Sequence, residues 1–248
     1  MISIILPTFD NEKIIKKSIN SIISFFSLFE IELIIVDDGS SDNTNKILVE
    51  FLKSIPYAQL ITLKTNCGKG EALRRGIAKS SGDVILFMDS DLSASLENFE
   101  MFISNITDFD VIIGSRSVHG SAVKNSDTHR IVMGRLYNSL RRLVFLRSIN
   151  DSQCGFKIFS GDVGRKLFGI STCNRFSIDI EILRIAEVLN IAILELPVVW
   201  KAGNESSIRL FRDSLTMFFE LFVLRLKLSR RRVLALAQKW DKEQALES

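Results

Sequence analysis

Cysteine, histidine and proline are scarce in this chain, and each scarcity removes a class of protein. The three cysteines among 248 residues are Cys67, Cys154 and Cys173. They are odd in number, widely spaced and without a CxxC pair, which argues against a disulfide framework or a structural zinc site and fits a reducing compartment. Two histidines, His119 and His129, cannot build a metal site on their own. Three prolines and thirteen glycines leave no room for a long disordered linker. No apolar run is long enough to span a bilayer; the best, around Leu221 to Leu224, is cut by Glu220 and Arg225. Met1 leads straight into the strand-like run Ile2 to Leu6, with no basic region or cleavage site, so no signal peptide is expected. A net charge of +3 is too small to point to nucleic acid.

What is present is a pattern. A hydrophobic share of 46% allows a substantial core, and the length fits one large α/β domain. Short β-branched runs occur at Ile2–Leu6, Leu33–Val36, Leu60–Leu63 and Val84–Met88. Between them lie stretches with helical spacing, such as Ile15, Ile19, Ile22 and Phe26. Strand alternating with helix predicts a Rossmann-like, mostly parallel sheet with helices on both faces. Further on, Val111–Ile113 and Gly155–Phe159 read as strands, and Ile191–Val199 as an extended segment broken by Pro197. Helices are expected over about Arg130–Arg147, Ile178–Leu189 and Asp213–Leu228.

Each of the first four strands ends in a polar cluster. These are Pro7-Thr8-Phe9, Asp37-Asp38-Gly39-Ser40, Asn66-Cys67-Gly68-Lys69-Gly70 and Asp89-Ser90-Asp91. Ligands of open α/β sheets bind beyond the carboxyl ends of the strands, so four clusters should converge on one crevice. Asp89 and Asp91 have the spacing to reach one hard cation, Mg²⁺ or Mn²⁺, which favours a few carboxylates plus substrate phosphates. Alone they would better suit a turn that caps a helix; their position beside the other clusters reverses this and favours the metal. Asp37 or Asp38 could accept from a base N–H or a ribose hydroxyl. Ser41 or Asp42 would cap the helix that follows. Gly68-Lys69-Gly70 suits phosphate or sugar oxygens at a helix start, or is simply a flexible loop. It matches neither GxxxxGK[ST] nor GxGxxG, which disfavours a P-loop ATPase or a dinucleotide oxidoreductase.

In this order, and followed by Gly114-Ser115-Arg116, the clusters resemble those of the inverting family 2 glycosyltransferases of GT-A fold. The later runs are Asp151-Ser152-Gln153-Cys154-Gly155-Phe156-Lys157, Phe176 with Asp179-Ile180-Glu181, and Glu195 to Trp200. They resemble the dolichyl-phosphate β-glucosyltransferases and their prokaryotic polyprenyl-phosphate relatives. The resemblance covers roughly residues 2 to 210. It implies a nucleoside pocket lined by Pro7, Thr8 and Phe9, a nucleobase held by Asp37 or Asp38, and donor contacts from Glu12, Gly68, Lys69, Gly70 and Ser90. Asp89 and Asp91 would bind the diphosphate through the metal. Arg116, with Arg130 and Gln153, would face the acceptor, and Asp179 would join the catalytic set. Two departures stand out: Asp10-Asn11 replaces the family's Asn-Glu, with Glu12 one step late, and Ser93 stands where relatives that transfer mannose often carry Gln.

The acceptor side has its own signal. No acidic residue occurs from Thr128 to Asn150. Arg130, Arg135, Arg141, Arg142 and Arg147 lie there among apolar residues, and guanidinium forks suit phosphate oxygens. The outer arginines read as a solvated face, whereas Arg130 follows a polar loop that could close over substrate. Asp213–Arg232 is rich in Leu, Phe and Met and ends in Lys227, Arg230, Arg231 and Arg232. It suits a peripheral helix on an anionic membrane surface, or equally a helix packed on the domain or on a partner chain. The family's usual carboxy-terminal membrane spans are missing. The division expected is a GT-A-like domain over 1–212 and a basic helical tail over 213–248. The function expected is hexose transfer, glucose favoured, from a nucleotide sugar, UDP favoured, to a polyprenyl phosphate at the cytoplasmic membrane face. A polyprenyl phosphate is already an anion near neutral pH and needs no general base. The rivals are transfer to a saccharide hydroxyl, for which Asp179 would be a candidate base, and a catalytically silent membrane-associated scaffold.

Overall fold

The computed structural model describes residues 1–124, 149–201, 223–225 and 227–247. Its first half realises the alternation read above. It runs β1 (Ile2–Thr8), α1 (Ile15–Phe25), β2 (Ile31–Asp37), α2 (Thr44–Phe51), β3 (Ala58–Thr62), α3 (Lys69–Ile77), β4 (Val84–Met88), α4 (Asn98–Ile103) and β5 (Val111–Ser115). Then come β6 (Ala122–Lys124), β7 (Phe156–Ser160), α5 (Gly161–Ile170), α6 (Ile178–Val188), β8 (Ile193–Pro197), β9 (Val199–Lys201) and α7 (Arg230–Glu247). The main sheet has seven strands in the order β3-β2-β1-β4-β7-β5-β8. β7 is antiparallel to both its neighbours, and the other pairs are parallel.

Apolar side chains leave both faces of the sheet, because each strand alternates with a period of two. Ile5, Ile34, Val36, Ile85, Phe87, Ile113 and Phe159 form one face, packed on α3, α5, α6 and α7. Ile4, Leu6, Leu33, Ile35, Leu86, Met88, Ile112 and Ile158 form the other, against α1, α2 and α4. There α1 buries Ile15, Ser18, Ile19 and Ile22, the stripe its spacing predicts. Gly76 lets α3 lie close on the sheet: a Cβ there would sit 2.7 Å from Ile5 Cγ2.

The chain proceeds outward from β1 to β3, then returns to place β4 on the other side of β1. This reversal is the switch point at which a doubly wound sheet opens a crevice. The expected extended segment over 191–199 divides at Val198, whose N–H donates to Ser115 O. β8 stays in the main sheet, while β9 pairs with β6 in a separate two-stranded sheet.

The helix expected over 130–147 lies outside the described residues, as do most of 213–228. What is described beyond residue 212 belongs in part to the core. Leu224, Leu228, Val233 and Ala237 are buried on the α5 and α6 side of the sheet. The Trp240 ring covers Gly169, where a Cβ would lie 2.1 Å from Cζ3. Arg230, Arg231 and Arg232 face solvent at the start of α7. Among the described residues no helix is long and apolar enough to cross a membrane.

Candidate active site

The carboxyl ends of β1, β2 and β4 meet as the sequence predicted, with Asn11 joining two of them. Its amide Nδ2 donates to Thr8 Oγ1 at 3.2 Å and to Ser90 Oγ at 2.8 Å, and its N–H donates to Thr44 Oγ1. Pro7 and Thr8 are buried at the end of β1, and Phe9 is partly exposed. Asp10 adopts a left-handed backbone, φ 50°, and accepts from Ser41 N–H. Glu12 accepts from the backbone and side-chain N–H groups of Asn43, so in this structure it braces the start of α2. Asp42 accepts from Thr44 N–H, but the N-cap of α2 is Asn43, not Ser41 or Asp42 as expected, and it makes no side-chain cap hydrogen bond; Asp42 supports the turn from one residue further out.

Both acids at the end of β2 are engaged inside the protein. Asp37, fully buried, accepts from Ser40 N–H and from Asn45 Nδ2. Asp38 accepts from the N–H groups of Cys67 and Gly68 at 2.7 and 2.8 Å and so pins the glycine loop to the sheet. Burial holds the Asp38 carboxyl above the usual carboxylate range; these two amides oppose that, and Asp37 adds to it.

The glycine loop is therefore tight rather than flexible. Gly68 has φ 102°, and a Cβ there would lie 2.5 Å from Asn174 O. A Cβ on Gly70 would lie 2.2 Å from Cys173 O. The N–H groups of Gly70 and Glu71 donate to Asn174 O. The first turn of α3 is thus capped by the chain itself, and the loop's free contribution to the crevice is the Lys69 side chain.

Lys69 reaches the metal pair predicted at β4. Its Nζ lies 2.8 Å from Asp89 Oδ1 and 3.4 Å from Asp179 Oδ2. Asp179 is also held by Lys157, and this acid and base are almost fully buried. Lys157 Nζ donates to Cys154 O at 2.6 Å and stands 4.9 Å from the centre of the Phe87 ring. Burial would raise the Asp89 pKa, but Lys69, Lys157 and Arg116 outweigh it and hold the carboxyl below its ordinary value. Asp91 is raised, by burial first and by the charge of Asp89 second. Its oxygens accept from the N–H and hydroxyl of Ser93 across a turn that puts Leu92 at φ 49°. A left-handed leucine is costly and marks a turn held by its surroundings.

Arg116 stands at the end of β5. It grips Asp151 through two N–H···O bonds of 2.6 and 2.9 Å, and its guanidinium lies 5.4 Å from the centre of the Trp200 ring. Burial would push the Asp151 pKa up; Arg116 overrides it and brings it down to about 2. Glu195 accepts from the N–H groups of Asn150 and Asp151 and fixes that turn. Gln153 carries a buried amide nitrogen, and Ser152 a buried hydroxyl, that have no hydrogen-bond partner among the described residues. Arg130 lies outside the described residues.

Three participants carried no assigned role in the sequence. Lys157 and Gly155 stand at the start of a strand, where a search of strand ends does not look; β7 runs antiparallel, so its start lies beside the end of β4. Asp89 N–H donates to Gly155 O, and a Cβ on Gly155 would lie 1.8 Å from Asp89 Oδ2. The third, Asn11, is signalled only by its place one residue beyond the first cluster.

Comparison with known proteins agrees with this construction. A model of "Glycosyl transferase family 2" matches residues 3–168. The dolichyl-phosphate β-glucosyltransferase of Saccharomyces cerevisiae is 30% identical over 247 residues, 91% of this chain and 74% of its own length. Those of Dictyostelium discoideum and Homo sapiens are 29% and 28% identical, each over 91% of this chain and over 74% and 75% of their own lengths. Among solved structures, glucosyl-3-phosphoglycerate synthase from Mycobacterium tuberculosis, in complex with Mn²⁺, UDP-glucose and phosphoglyceric acid, superposes with a TM-score of 0.67. It is 20% identical over 92% of this chain and 79% of its own, and it establishes the shared GT-A fold. The crevice at the switch point thus lies in a member of glycosyl transferase family 2.

Proposed function

We propose that this protein transfers glucose from UDP-glucose to a dolichyl-type polyprenyl phosphate, with inversion at the anomeric carbon. The observation that carries the reading is the Asp89–Asp91 pair at the switch point, in a chain that aligns over nine-tenths of its length with dolichyl-phosphate β-glucosyltransferases. The two carboxylates suit Mg²⁺ or Mn²⁺. Among the described residues no cluster of three or more His, Cys, Asp or Glu forms a closed cage, so phosphate oxygens and water would complete the shell. When bound, the ion would neutralise charge on the departing diphosphate.

The remaining chemistry falls to the protein's own side chains. Pro7, Thr8, Phe9, Asp37 and Asp38 would line the nucleoside end, where the two acids lie at the mouth of β2. Glu12, Ser90 and the Gly68-Lys69-Gly70 loop flank it. Arg116 and Arg130 would hold the acceptor phosphate, and the buried amide nitrogen of Gln153, without a partner among the described residues, supports a polar ligand beside Arg116. Asp179 bears on the acceptor. Both its oxygens are taken by lysines and its side chain is 1% exposed, which ill suits a base for a saccharide hydroxyl. An acceptor that is already an anion needs no base, and this favours the lipid phosphate. Peripheral membrane contact would use the exposed Arg230–Arg232 run and the segment before it.

The test is a transfer screen of UDP- and GDP-sugars against a short polyprenyl phosphate and saccharide acceptors with Mg²⁺ or Mn²⁺. Glucosyl-lipid formed from UDP-glucose supports the proposal. Transfer to saccharide hydroxyls alone overturns its acceptor, and no transfer under any pairing favours a silent scaffold.

A further inference from the structure

The charges around Asp89 form a series that alternates in sign. Asp89 meets Lys69, Lys69 meets Asp179, and Asp179 meets Lys157. The inner end is fixed: Lys157 is completely buried, anchored on Cys154 O and packed on the Phe87 ring, and Asp179 is 1% exposed. At the outer end Asp89 is 40% exposed to the crevice. Lys69 stands between them on a flexible four-carbon stem, over the same Phe87 ring at 5.3 Å. Its Nζ is only slightly farther from Asp179 than from Asp89. Asp179 has a neutralising partner already in Lys157, so Lys69 is not required for its charge.

We infer that Lys69 is the resident counter-ion of the Asp89 carboxylate, and that it passes to Asp179 when a divalent cation takes Asp89. The inference rests on the reading of Asp89 and Asp91 as metal ligands. It adds a consequence for binding order: the cation must displace Lys69, so the free protein binds it weakly, and a diphosphate arriving with it supplies the compensating contacts. Asp179 is then a positioning residue, the second berth for the lysine.

The experiment is a Mn²⁺ titration of the full-length protein without nucleotide, followed by the electron paramagnetic resonance signal of the free ion. Lys69→Met removes the competitor and should bind Mn²⁺ roughly two- to fivefold more tightly than the unaltered protein. Asp179→Asn removes the second berth, fastens Lys69 on Asp89, and should bind several-fold more weakly. Opposite shifts in two neighbouring variants are not what general damage to the site produces. Shifts in the same direction, or no shift in Lys69→Met, overturn the inference. Thermal unfolding checks that each variant is folded, and Lys69→Gln replaces Lys69→Met if the latter is not. Asp91→Asn separates the two levels. If it leaves Mn²⁺ binding intact, the metal reading itself fails; if it abolishes binding while Lys69→Met does not tighten it, only the counter-ion role fails.

Discussion

Replacing Gly155 by alanine adds a single methyl group, and the geometry of the site turns that into a test of how Asp89 is placed. The new Cβ would stand 1.8 Å from Asp89 Oδ2 and 2.2 Å from its Cγ, whereas real Cβ contacts stay beyond 3.0 Å. The carboxylate must therefore retreat by about 1.2 Å, or the start of β7 must leave β4. The second route is opposed by the Asp89 N–H···O=C Gly155 bond and by the full β4–β7 ladder from Val84 to Met88. The carboxylate is the softer element, since its Lys69 partner sits on a flexible stem. A misplacement of about 1 Å at a reacting centre costs on the order of a hundredfold in rate. Overpacking should cost roughly 1–3 kcal/mol of stability. Gly155→Ala is expected to fold, with a modest drop in melting temperature, and to lose about two orders of magnitude in kcat/KM for glucosyl transfer. Steady-state transfer assays with UDP-glucose, paired with calorimetric unfolding, read both quantities. Near-normal transfer in the folded variant would refute the placement of Asp89 against β7 or its part in the reaction.

Asp91→Asn should keep the fold and lose nearly all transfer, measured with purified protein in Mg²⁺ or Mn²⁺. Arg116→Ala strands the buried Asp151 and should cost roughly 3 kcal/mol of stability, seen in denaturant titration, as well as acceptor affinity. The same pair sets an acid limb. Asp151 titrates at about 2 in the fold and near 4 when unfolded, so its contribution, about 2 kcal/mol, is present above pH 4 and is lost as the pH falls toward 2. An Asp151→Asn variant should lack that limb in a pH series of unfolding free energies. Asp38→Ala releases the Cys67 and Gly68 amides and should weaken UDP binding in calorimetry; unchanged affinity there and in Asp37→Ala would put the nucleobase elsewhere. Trp240→Ala uncovers Gly169 and should destabilise by roughly 3 kcal/mol, lowering the melting temperature by several degrees.

The sequence by itself determined the doubly wound half of the fold and the mouth of the crevice. Period-two apolar runs alternating with helical stripes demand a covered parallel sheet, and polar residues just past those runs have nowhere to lie but the carboxyl edge. That is why Thr8, Asp37, Asp38, Asp89 and Asp91 could be grouped from their order alone. The helices α1 and α6 were legible for the same reason, through their apolar spacing. Only the tertiary structure decided how the site is held. The reversed direction of β7 carries Gly155 and Lys157 to the crevice from a strand's beginning, and no local pattern reports a strand's direction. Asp179 starts a helix some ninety residues beyond Asp89 in sequence, yet shares a lysine with it, because α6 packs on the same face of the sheet as α3. The glycines at 68 and 70 looked like a flexible cradle and proved to be points of close approach to residues 173–174, a contact set by packing. Arg230 to Glu247 shows no strong apolar stripe, and its sequence placed it only within a basic helical tail, without a surface to pack on. It is held by a few buried contacts, Val233, Ala237 and the Trp240 ring over Gly169, whose worth depends on the surface that receives them.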